Sequence, residues 1–328
     1  MSAALSESEM AATMRRIMSG EMPAADVESF LIELAERGET VDEITGAAKV
    51  MREMALKINA PSDAVDCCGT GGDHAGTYNI STAVALVAAG CGVPIAKHGG
   101  GASTSKSGSV DVLAALGVNF DVPPQKLEEA LGKFNFCFLA APRHHSAMKN
   151  VREIRKKIGR RTIFNLLGPL TNPAGTNFHL MGVYDKKWLE PMTEVLKNLG
   201  AQRAWVVHGS DGLDEITTTG PTHIAVLENG KISRREITPQ DFGLPTSKSE
   251  DLKGGDAEEN AAAMKSLLQG QKGAYRDIVL ANTAAVLVIH GSAKDLKDGA
   301  AKAAHALDSG AALKTLSDYA AFTKEQSA

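Results

Sequence analysis

Residues 65–90 read VDCCGTGGDHAGTYNISTAVALVAAG. A short apolar run ends in glycine, a glycine-rich loop follows, and the pattern predicts a helix that starts near Ser81. The same order recurs in residues 92–117, which read GVPIAKHGGGASTSKSGSVDVLAALG. Further strand-like runs occupy residues 136–141, 179–184, 204–209 and 223–230. Strands that alternate with helices predict an α/β fold with a mostly parallel central sheet flanked by helices.

The N-terminal part of the chain has a helical pattern instead. Apolar residues recur at helical spacing up to Leu34, and Gly38 stands where a glycine would end that helix. Thr40 followed by Glu43 is a capping-box signal for a further helix, whose apolar pattern extends to Leu56. The chain is therefore predicted to divide into a small helical domain, residues 1–64, and a larger α/β domain, residues 65–328.

Composition excludes several classes of protein. The 328 residues carry a formal charge of −4, so the total charge does not favour nucleic acid or an anionic membrane as a partner. The four cysteines match no zinc-binding spacing and are too few for a disulfide framework. The N-terminus does not resemble a signal peptide, and no apolar stretch reaches the length of a membrane span. We therefore expect a cytoplasmic protein.

The first loop, residues 69–73, reads GTGGD and lies between a predicted strand and a predicted helix. Glycines in such a place let backbone N–H groups close on an oxyanion, and the start of the next helix adds further free N–H groups. The loop is not a P-loop, and it lacks the spacing of a dinucleotide fingerprint. The alternative is an ordinary glycine-rich turn.

The second loop, residues 97–109, combines a lysine at a strand end with five hydroxyl side chains. This is the chemistry expected for a phosphate or pyrophosphate at the carboxyl end of a parallel sheet. A flexible glycine- and serine-rich linker is the alternative. Two such loops at successive strand ends favour the anion site.

Two charged segments complete the candidate site. Asp214 and Glu215 follow a predicted strand, and paired carboxylates there are oxygen ligands of the kind that Mg²⁺ prefers, although an acidic surface turn has the same pattern. Residues 149–161 contain seven Lys or Arg. They could bind nucleic acid, hold a small carboxylate with one arginine, or form a solvated helix face.

Six motifs occur in a fixed order: GTGGD at Gly69, NIST at Asn79, KHG at Lys97, an APxxH segment at Ala141, RTIFNLLGPLTNP at Arg161 and DGLDE at Asp211. In these motifs the sequence resembles the anthranilate phosphoribosyltransferase family, of the nucleoside-phosphorylase-like class, over nearly the whole chain. The resemblance implies a helical domain hinged to the α/β domain, joined by a helical segment near residues 145–167. It also implies a homodimer formed through the helical domain.

The resemblance implies transfer of a phosphoribosyl group from phosphoribosyl pyrophosphate (PRPP) to the amine of anthranilate with Mg²⁺, two ions being expected. We assign no catalytic base, because the aromatic amine of anthranilate is neutral at pH 7 and no residue is a compelling candidate. PRPP would be bound by Gly69, Gly72, Asp73, Thr77, Asn79, Ile80, Ser81, Thr82, Lys97, His98, Gly99, Gly100, Gly101, Ala102, Ser103, Thr104, Ser105 and Ser109. Anthranilate would be bound by Gly69, Gly100, His145 and Arg155. Magnesium would be bound by Ser81, Asp214 and Glu215.

The sequence departs from the family pattern at one place. Where family members commonly read KHGNR, this chain reads KHGGG, so Gly100 and Gly101 replace an asparagine and an arginine. Two interpretations stay open: the same reaction with one acceptor contact fewer, or a divergent paralogue with another acceptor or with nucleic-acid binding. A pyrimidine-nucleoside phosphorylase of the same fold is disfavoured, because its lysine-serine-glycine-arginine loop is not present.

Overall fold

The computed structural model describes residues 3–101 and 106–325. The predicted contacts of Ala102, Ser103, Thr104 and Ser105 lie outside the described residues. In the described chain the α-helices are α1 (Glu7–Ser19), α2 (Ala24–Arg37), α3 (Val41–Met54), α4 (Ile80–Gly90), α5 (Ser109–Ala115), α6 (Pro124–Phe134), α7 (Ala141–His144), α8 (Lys149–Ile158), α9 (Phe164–Leu167), α10 (Leu189–Asn198), α11 (Ala257–Leu268), α12 (Ala274–His290), α13 (Leu296–Asp308) and α14 (Ala311–Lys324). The strands are β1 (Val65–Gly69), β2 (Ile95–Gly99), β3 (Phe136–Ala140), β4 (Phe178–Gly182), β5 (Arg203–Gly209), β6 (Thr222–Glu228) and β7 (Lys231–Ile237).

The strands form one sheet in the order β3-β2-β1-β4-β5-β6-β7. The pairs from β3 to β5 are parallel, whereas β6 and β7 pair antiparallel at one edge. The prediction of a mostly parallel sheet flanked by helices is therefore confirmed. β7 was not predicted, because a largely exposed edge strand lacks the apolar run of the inner strands.

The N-terminal helices begin and end where local chemistry dictates. Thr40 caps α3, with its hydroxyl accepting from Glu43 and the Glu43 carboxylate accepting from the Thr40 N–H. Gly38 follows α2 with a φ of 91°, in the region that favours glycine. Leu56, which the helical pattern included, lies two residues beyond the end of α3 and is 52% exposed.

Two apolar cores lie on opposite faces of the sheet. Successive side chains along a strand point to opposite faces, so they enter different cores. Cys67 and Leu180 pack in the first core, and Met181 and Val206 pack in the second. The first core includes the apolar helices α4 and α12, and the second includes α1, α3 and α10. The N-terminal helices thus pack on the same sheet face as α10. None of the helices in the described chain is long and apolar enough to cross a membrane.

One close approach ties α1 to α3. A Cβ at Gly46 of α3 would lie 2.3 Å from the backbone oxygen of Glu7. Gly132 of α6 offers a matched control, because a Cβ there would meet nothing within 4 Å. We expect Gly46→Ala to lower the free energy of unfolding by about 1–3 kcal/mol through overpacking. Gly132→Ala should raise it by up to ~1 kcal/mol, since alanine loses less backbone entropy.

Urea denaturation of both variants beside the parent chain measures the difference. Equal effects of the two alanines would contradict the close contact between α1 and α3.

Candidate active site

A cavity of about 400 Å³ opens where β1 and β2 end. Its walls come from the GTGGD loop, the start of α4, the end of β2 and the Asp214 loop. The predicted residues that line it are Gly69, Gly72, Asp73, Thr77, Asn79, Ile80, Ser81, Lys97, His98, Gly99, Gly100, Gly101, Ser109, Arg155, Asp214 and Glu215. Thr82 is buried behind the wall, where its hydroxyl donates to Ser109 Oγ at 2.9 Å. Of the residues predicted to bind PRPP, the structure brings nearly all that it describes together around this cavity.

The GTGGD loop is held in shape by side chains from distant segments. The Gly71 N–H donates to Asp214 Oδ2 at 2.6 Å, and Gly71 and Gly72 have φ values of 65° and 80°. Arg161 donates to the Gly72 carbonyl, and its guanidinium stacks 4.0 Å from the ring centroid of Tyr184. Such bracing fixes the directions of the loop amides in advance of any anion.

Two of the first backbone N–H groups of α4 already have acceptors: the Ile80 N–H donates to the Tyr78 carbonyl at 2.9 Å, and the Ser81 N–H donates to the Glu215 carboxylate. Asn79 occupies the N-cap position, but its side chain makes no capping bond. Its amide instead donates to the Ser107 carbonyl at 3.3 Å, and its Oδ1 accepts from Asn260 at 2.9 Å. Ile80 and Ser81 line the cavity, so the N-terminal end of α4 lies at its wall. The positive end of the helix dipole favours an anion at this place.

Asp214 and Glu215 are half-buried at the floor of the cavity. Burial, and then the nearby Asp73 carboxylate, raise the pKa of Asp214 to about 7. Burial and Asp214 raise the pKa of Glu215 well above its usual value. Carboxylates crowded in this way gain from a bound cation, which would favour their charged forms.

These carboxylates can supply only part of a metal shell. No group of three or more His, Cys, Asp or Glu within residues 3–101 and 106–325 could hold an ion alone. Ser81 Oγ lies at the same cavity, where it accepts from Lys97 Nζ at 3.2 Å. Hard oxygen donors that leave ligand positions to water and substrate suit Mg²⁺. The residues present therefore fit a magnesium ion shared with a phosphate-bearing substrate.

Lys97 is more deeply placed than a strand-end lysine usually is. The side chain is 1% exposed, and its Nζ also donates to the Cys67 carbonyl at 2.6 Å. It lines the cavity from below instead of extending into the loop that follows β2.

A second, larger cavity of about 1000 Å³ adjoins the first. Its lining includes six cationic residues and no Asp or Glu: Lys149, Arg152, Arg155, Lys156, Arg160 and Arg161. Arg155 lies over the Phe164 ring at 5.3 Å, and burial lowers its pKa. In the described part of the chain no carboxylate pairs with Arg155, so this arginine is available to an anionic ligand.

Two buried histidines lie at the second cavity, and one of them, His98, lines the first cavity as well. The His98 and His145 ring centroids lie 5.1 Å apart, and burial lowers their pKa values to about 3 and about 4. His98 Nδ1 lies 3.1 Å from the Gly168 carbonyl, which fixes it as the donor. The Nε2 atoms of both rings are buried and have no hydrogen-bond partner among the described residues. Both rings are thus neutral at pH 7.

Comparison with known proteins places these features in a family. A model described as "Glycosyl transferase family, a/b domain" matches residues 61–313, and one described as "Glycosyl transferase family, helical bundle domain" matches residues 2–55. Anthranilate phosphoribosyltransferase from Rhodospirillum rubrum is 59% identical over 95% of this chain and 90% of its own length. The chain belongs to the anthranilate phosphoribosyltransferase family.

Solved structures of the anthranilate phosphoribosyltransferase family agree. The enzyme from Thermus thermophilus superposes with a TM-score of 0.93 at 42% identity, covering 98% of this chain and 97% of that one. The Saccharomyces cerevisiae enzyme in complex with PRPP and Mg gives a TM-score of 0.90 at 30% identity, covering 98% and 94% of the two chains. The yeast enzyme has also been solved with 4-fluoroanthranilate, at a TM-score of 0.89 and 28% identity with the same coverage.

Several residues that shape this anthranilate phosphoribosyltransferase site were not predicted from the sequence. Arg161 and Tyr184 brace the first loop, and Asn165 lines both cavities. The run that begins at Arg161 indicates, by its local pattern, only defined backbone. His145 lines only the second cavity, beside Arg155.

Buried neutral histidines predict a pH dependence of stability. His179 is 1% exposed, and its pKa is lowered to about 3 by burial. Because the folded pKa lies below the unfolded value, this stability is complete above pH 6.5 and is lost as the pH falls toward 3. We expect each such histidine to remove about 2 kcal/mol of unfolding free energy between pH 7 and pH 5, at 1.36 kcal/mol per pKa unit.

Urea unfolding at the two pH values tests this. Gln can keep the bond that His179 Nε2 makes to the Thr176 carbonyl at 2.7 Å, so His179→Gln should lose less stability on acidification than the parent chain. An unchanged pH dependence in His179→Gln would contradict the expectation.

Proposed function

We propose that the chain transfers the phosphoribosyl group of PRPP to the amine of anthranilate, forming N-(5-phosphoribosyl)anthranilate and pyrophosphate in tryptophan biosynthesis. One observation carries this proposal: a cavity suited to a phosphate and a cation adjoins a cationic cavity that lacks acids. His98, Gly100, Arg155 and Gly168 line both cavities. A donor and an anionic acceptor could therefore meet at this boundary.

The donor occupies the first cavity. Loop amides of the GTGGD segment and the first turn of α4 bind its phosphates, and Thr77, Ser109 and Lys97 add side-chain donors. The proposed donor set also includes Gly99 to Ser105 of the second loop. Backbone donors suit a pyrophosphate leaving group, because they need no reorganisation as its negative charge grows.

Magnesium binds to Ser81, Asp214 and Glu215 together with PRPP, and we propose two ions in all. A bound ion supplies charge neutralisation to the pyrophosphate that leaves C1′. The PRPP complex with Mg of the yeast relative supports its use here.

The acceptor occupies the second cavity. Arg155 can hold the anthranilate carboxylate with two parallel N–H donors, which a lysine cannot do equally well. His145 lies beside the ring, and Gly69 and Gly100 leave space near the amine. The anthranilate-derived ligand of the yeast relative supports this class of acceptor.

The reaction forms the C1′–N bond and breaks the C1′–O bond, and the amine loses one proton. The aromatic amine is neutral at pH 7, so it needs no strong base before attack. We assign no catalytic base. The protein contributes by aligning the two substrates and by stabilising the leaving group.

The alternative of nucleic-acid binding is not favoured. Lys157 pairs with Glu28 at 2.6 Å, and Arg160 pairs with Glu36 at 2.9 Å, so part of the basic segment binds to α2. The remaining cations line the acceptor cavity. A different acceptor is likewise not favoured, since the relatives named above share the same activity.

We further propose a homodimer formed through the helical domain, residues 1–64, which hinges against residues 65–328. Met54 and Leu56 support this, because they are large apolar side chains exposed by 39% and 52% near the end of that domain. A cytoplasmic location is proposed from the four cysteines, all of which are free thiols.

The decisive test of function follows anthranilate fluorescence. With PRPP and Mg²⁺ present the signal should fall as product forms, and omission of either should stop the loss. Asp214→Asn and Glu215→Gln should need more Mg²⁺ for half-maximal rate, because each removes a charged ligand. Persistent fluorescence with all three components would refute the assignment.

The Gly100 position predicts a gain of function. A Cβ there would meet only the Ala141 Cβ, at 3.9 Å, so a side chain fits. We expect Gly100→Asn to lower the anthranilate KM by about two- to tenfold, the worth of one neutral hydrogen bond of about 0.5–1.5 kcal/mol. The KM for PRPP serves as the internal control and should change little.

Steady-state kinetics with each substrate varied in turn measures both constants. A higher anthranilate KM in Gly100→Asn would show that the glycine is itself required for the acceptor.

A further inference from the structure

Asp66 is the second residue of β1 and is completely buried. It lines neither of the two cavities. Burial of a carboxylate in an inner strand of a sheet carries a large desolvation cost unless hydrogen-bond donors or cations compensate it. The neighbouring strand residue in register is His179, which is also buried.

The partners of Asp66 belong to the segments that build the site. Its Oδ1 accepts from the backbone N–H of His98 at 3.1 Å, and its Oδ2 accepts from Cys68 Sγ at 3.4 Å. The side-chain amide of Asn172 also donates to the carboxylate. One side chain therefore joins the ends of β1 and β2 to the segment that follows α9.

The partners of Asp66 make further hydrogen bonds to residues near the acceptor cavity. The His98 ring bonds the Gly168 carbonyl at 3.1 Å, and Asn172 Nδ2 donates to the Ala96 carbonyl at 2.7 Å. His98 and Gly168 line both cavities, whereas Thr171, next to Asn172, lines the acceptor cavity and not the donor cavity. Asp66 thus contacts the wall of the acceptor cavity from behind.

Two cations face this carboxylate without bonding to it. Lys97 of β2 and Arg52 of α3 both interact with its charge. Arg52 Nε donates to the Leu170 carbonyl at 2.6 Å, so α3 reaches the same segment as Asn172. Lys97 and Arg52 thus act on Asp66 through charge alone. The hydrogen bonds to Asp66, in contrast, fix the orientation of individual donor groups behind the cavity wall.

We infer that Asp66 is a positioning residue for the acceptor: it aligns His98 and the segment from Gly168 to Asn172 without touching either substrate. This inference rests on the proposed function. The hydrogen-bond acceptor capacity of the Asp66 carboxylate performs the alignment, because each named partner is an N–H or S–H donor. Misplacement of a cavity wall by a fraction of an ångström weakens acceptor alignment and leaves the donor loops in place.

The experiment compares Asp66→Ala with Asp66→Asn. Asp66→Ala removes every acceptor atom and should raise the anthranilate KM about tenfold or more, with the PRPP KM changed by less than about threefold. Asp66→Asn keeps one oxygen for the His98 N–H but turns an NH2 group toward the Cys68 and Asn172 donors, so it should restore the anthranilate KM part of the way from the Asp66→Ala value to the parent value. Rescue by Asn is a result that a loss of stability alone would not produce.

Leu196→Ala is the matched stability control. Leu196 is completely buried in α10, away from both cavities, so its truncation should lower the melting temperature and leave both KM values unchanged. Equal rises of both KM values in Asp66→Ala, or an unchanged anthranilate KM, would overturn the inference. Failure of the parent chain to turn over would refute the proposed function instead.

A second variant keeps the test decisive if Asp66→Ala does not fold. Asn172→Ala removes the side-chain amide that donates to the Asp66 carboxylate. A selective rise of the anthranilate KM in Asn172→Ala supports the inference. In the double variant Asp66→Asn with Asn172→Ala, the fold-rise of the anthranilate KM should be less than the product of the two single fold-rises. Unchanged anthranilate KM in folded Asn172→Ala overturns it.

Discussion

The backbone of Asp214 lies so close to the ends of β1 and β4 that no side chain fits between them. A Cβ at Gly182 would lie 1.5 Å from the Asp214 carbonyl oxygen, and one at Gly69 would lie 2.2 Å from Asp214 Oδ2. The parallel register places these two glycines side by side. The same carboxylate accepts from Gly71, so the anion loop and the carboxylate pair form one unit. Small residues at two adjacent strand ends are thus the constraint on which the cavity depends.

Charge is divided between the two cavities. Asp73, Asp214 and Glu215 line the donor side, whereas the described residues of the acceptor side include six Lys or Arg and no Asp or Glu. A polyanionic donor would be repelled by that carboxylate group unless a cation stood between them. An anionic acceptor, in contrast, needs only the arginines. Neutral His98 lines both sides without adding a charge to either.

The fold was largely predictable because glycine-rich loops punctuate short apolar runs. The anion loops were predictable for the same reason: glycine, lysine and hydroxyl side chains carry their chemistry in local sequence. Contacts across long separations were not. Arg161 and Gly72 are 89 residues apart, and no local pattern pairs them. Asp66 was hidden within a run interpreted as apolar strand, although a lone acid in that run was the available signal. The edge strand β7 follows an Asn229-Gly230 turn, whose sequence could have indicated the hairpin.

Lys97 shows how burial refines a role inferred from residue type. The strand-end lysine was expected to offer its charge to a phosphate. Its ammonium has three N–H donors, and two of them are used by the Cys67 carbonyl and Ser81 Oγ. One donor remains for the cavity that the side chain lines. Its charge also acts on Glu215, which lines the donor cavity, and on Asp66, which does not. Lys97 therefore balances the charge beneath the donor cavity, and it can add at most a single hydrogen bond to a ligand there.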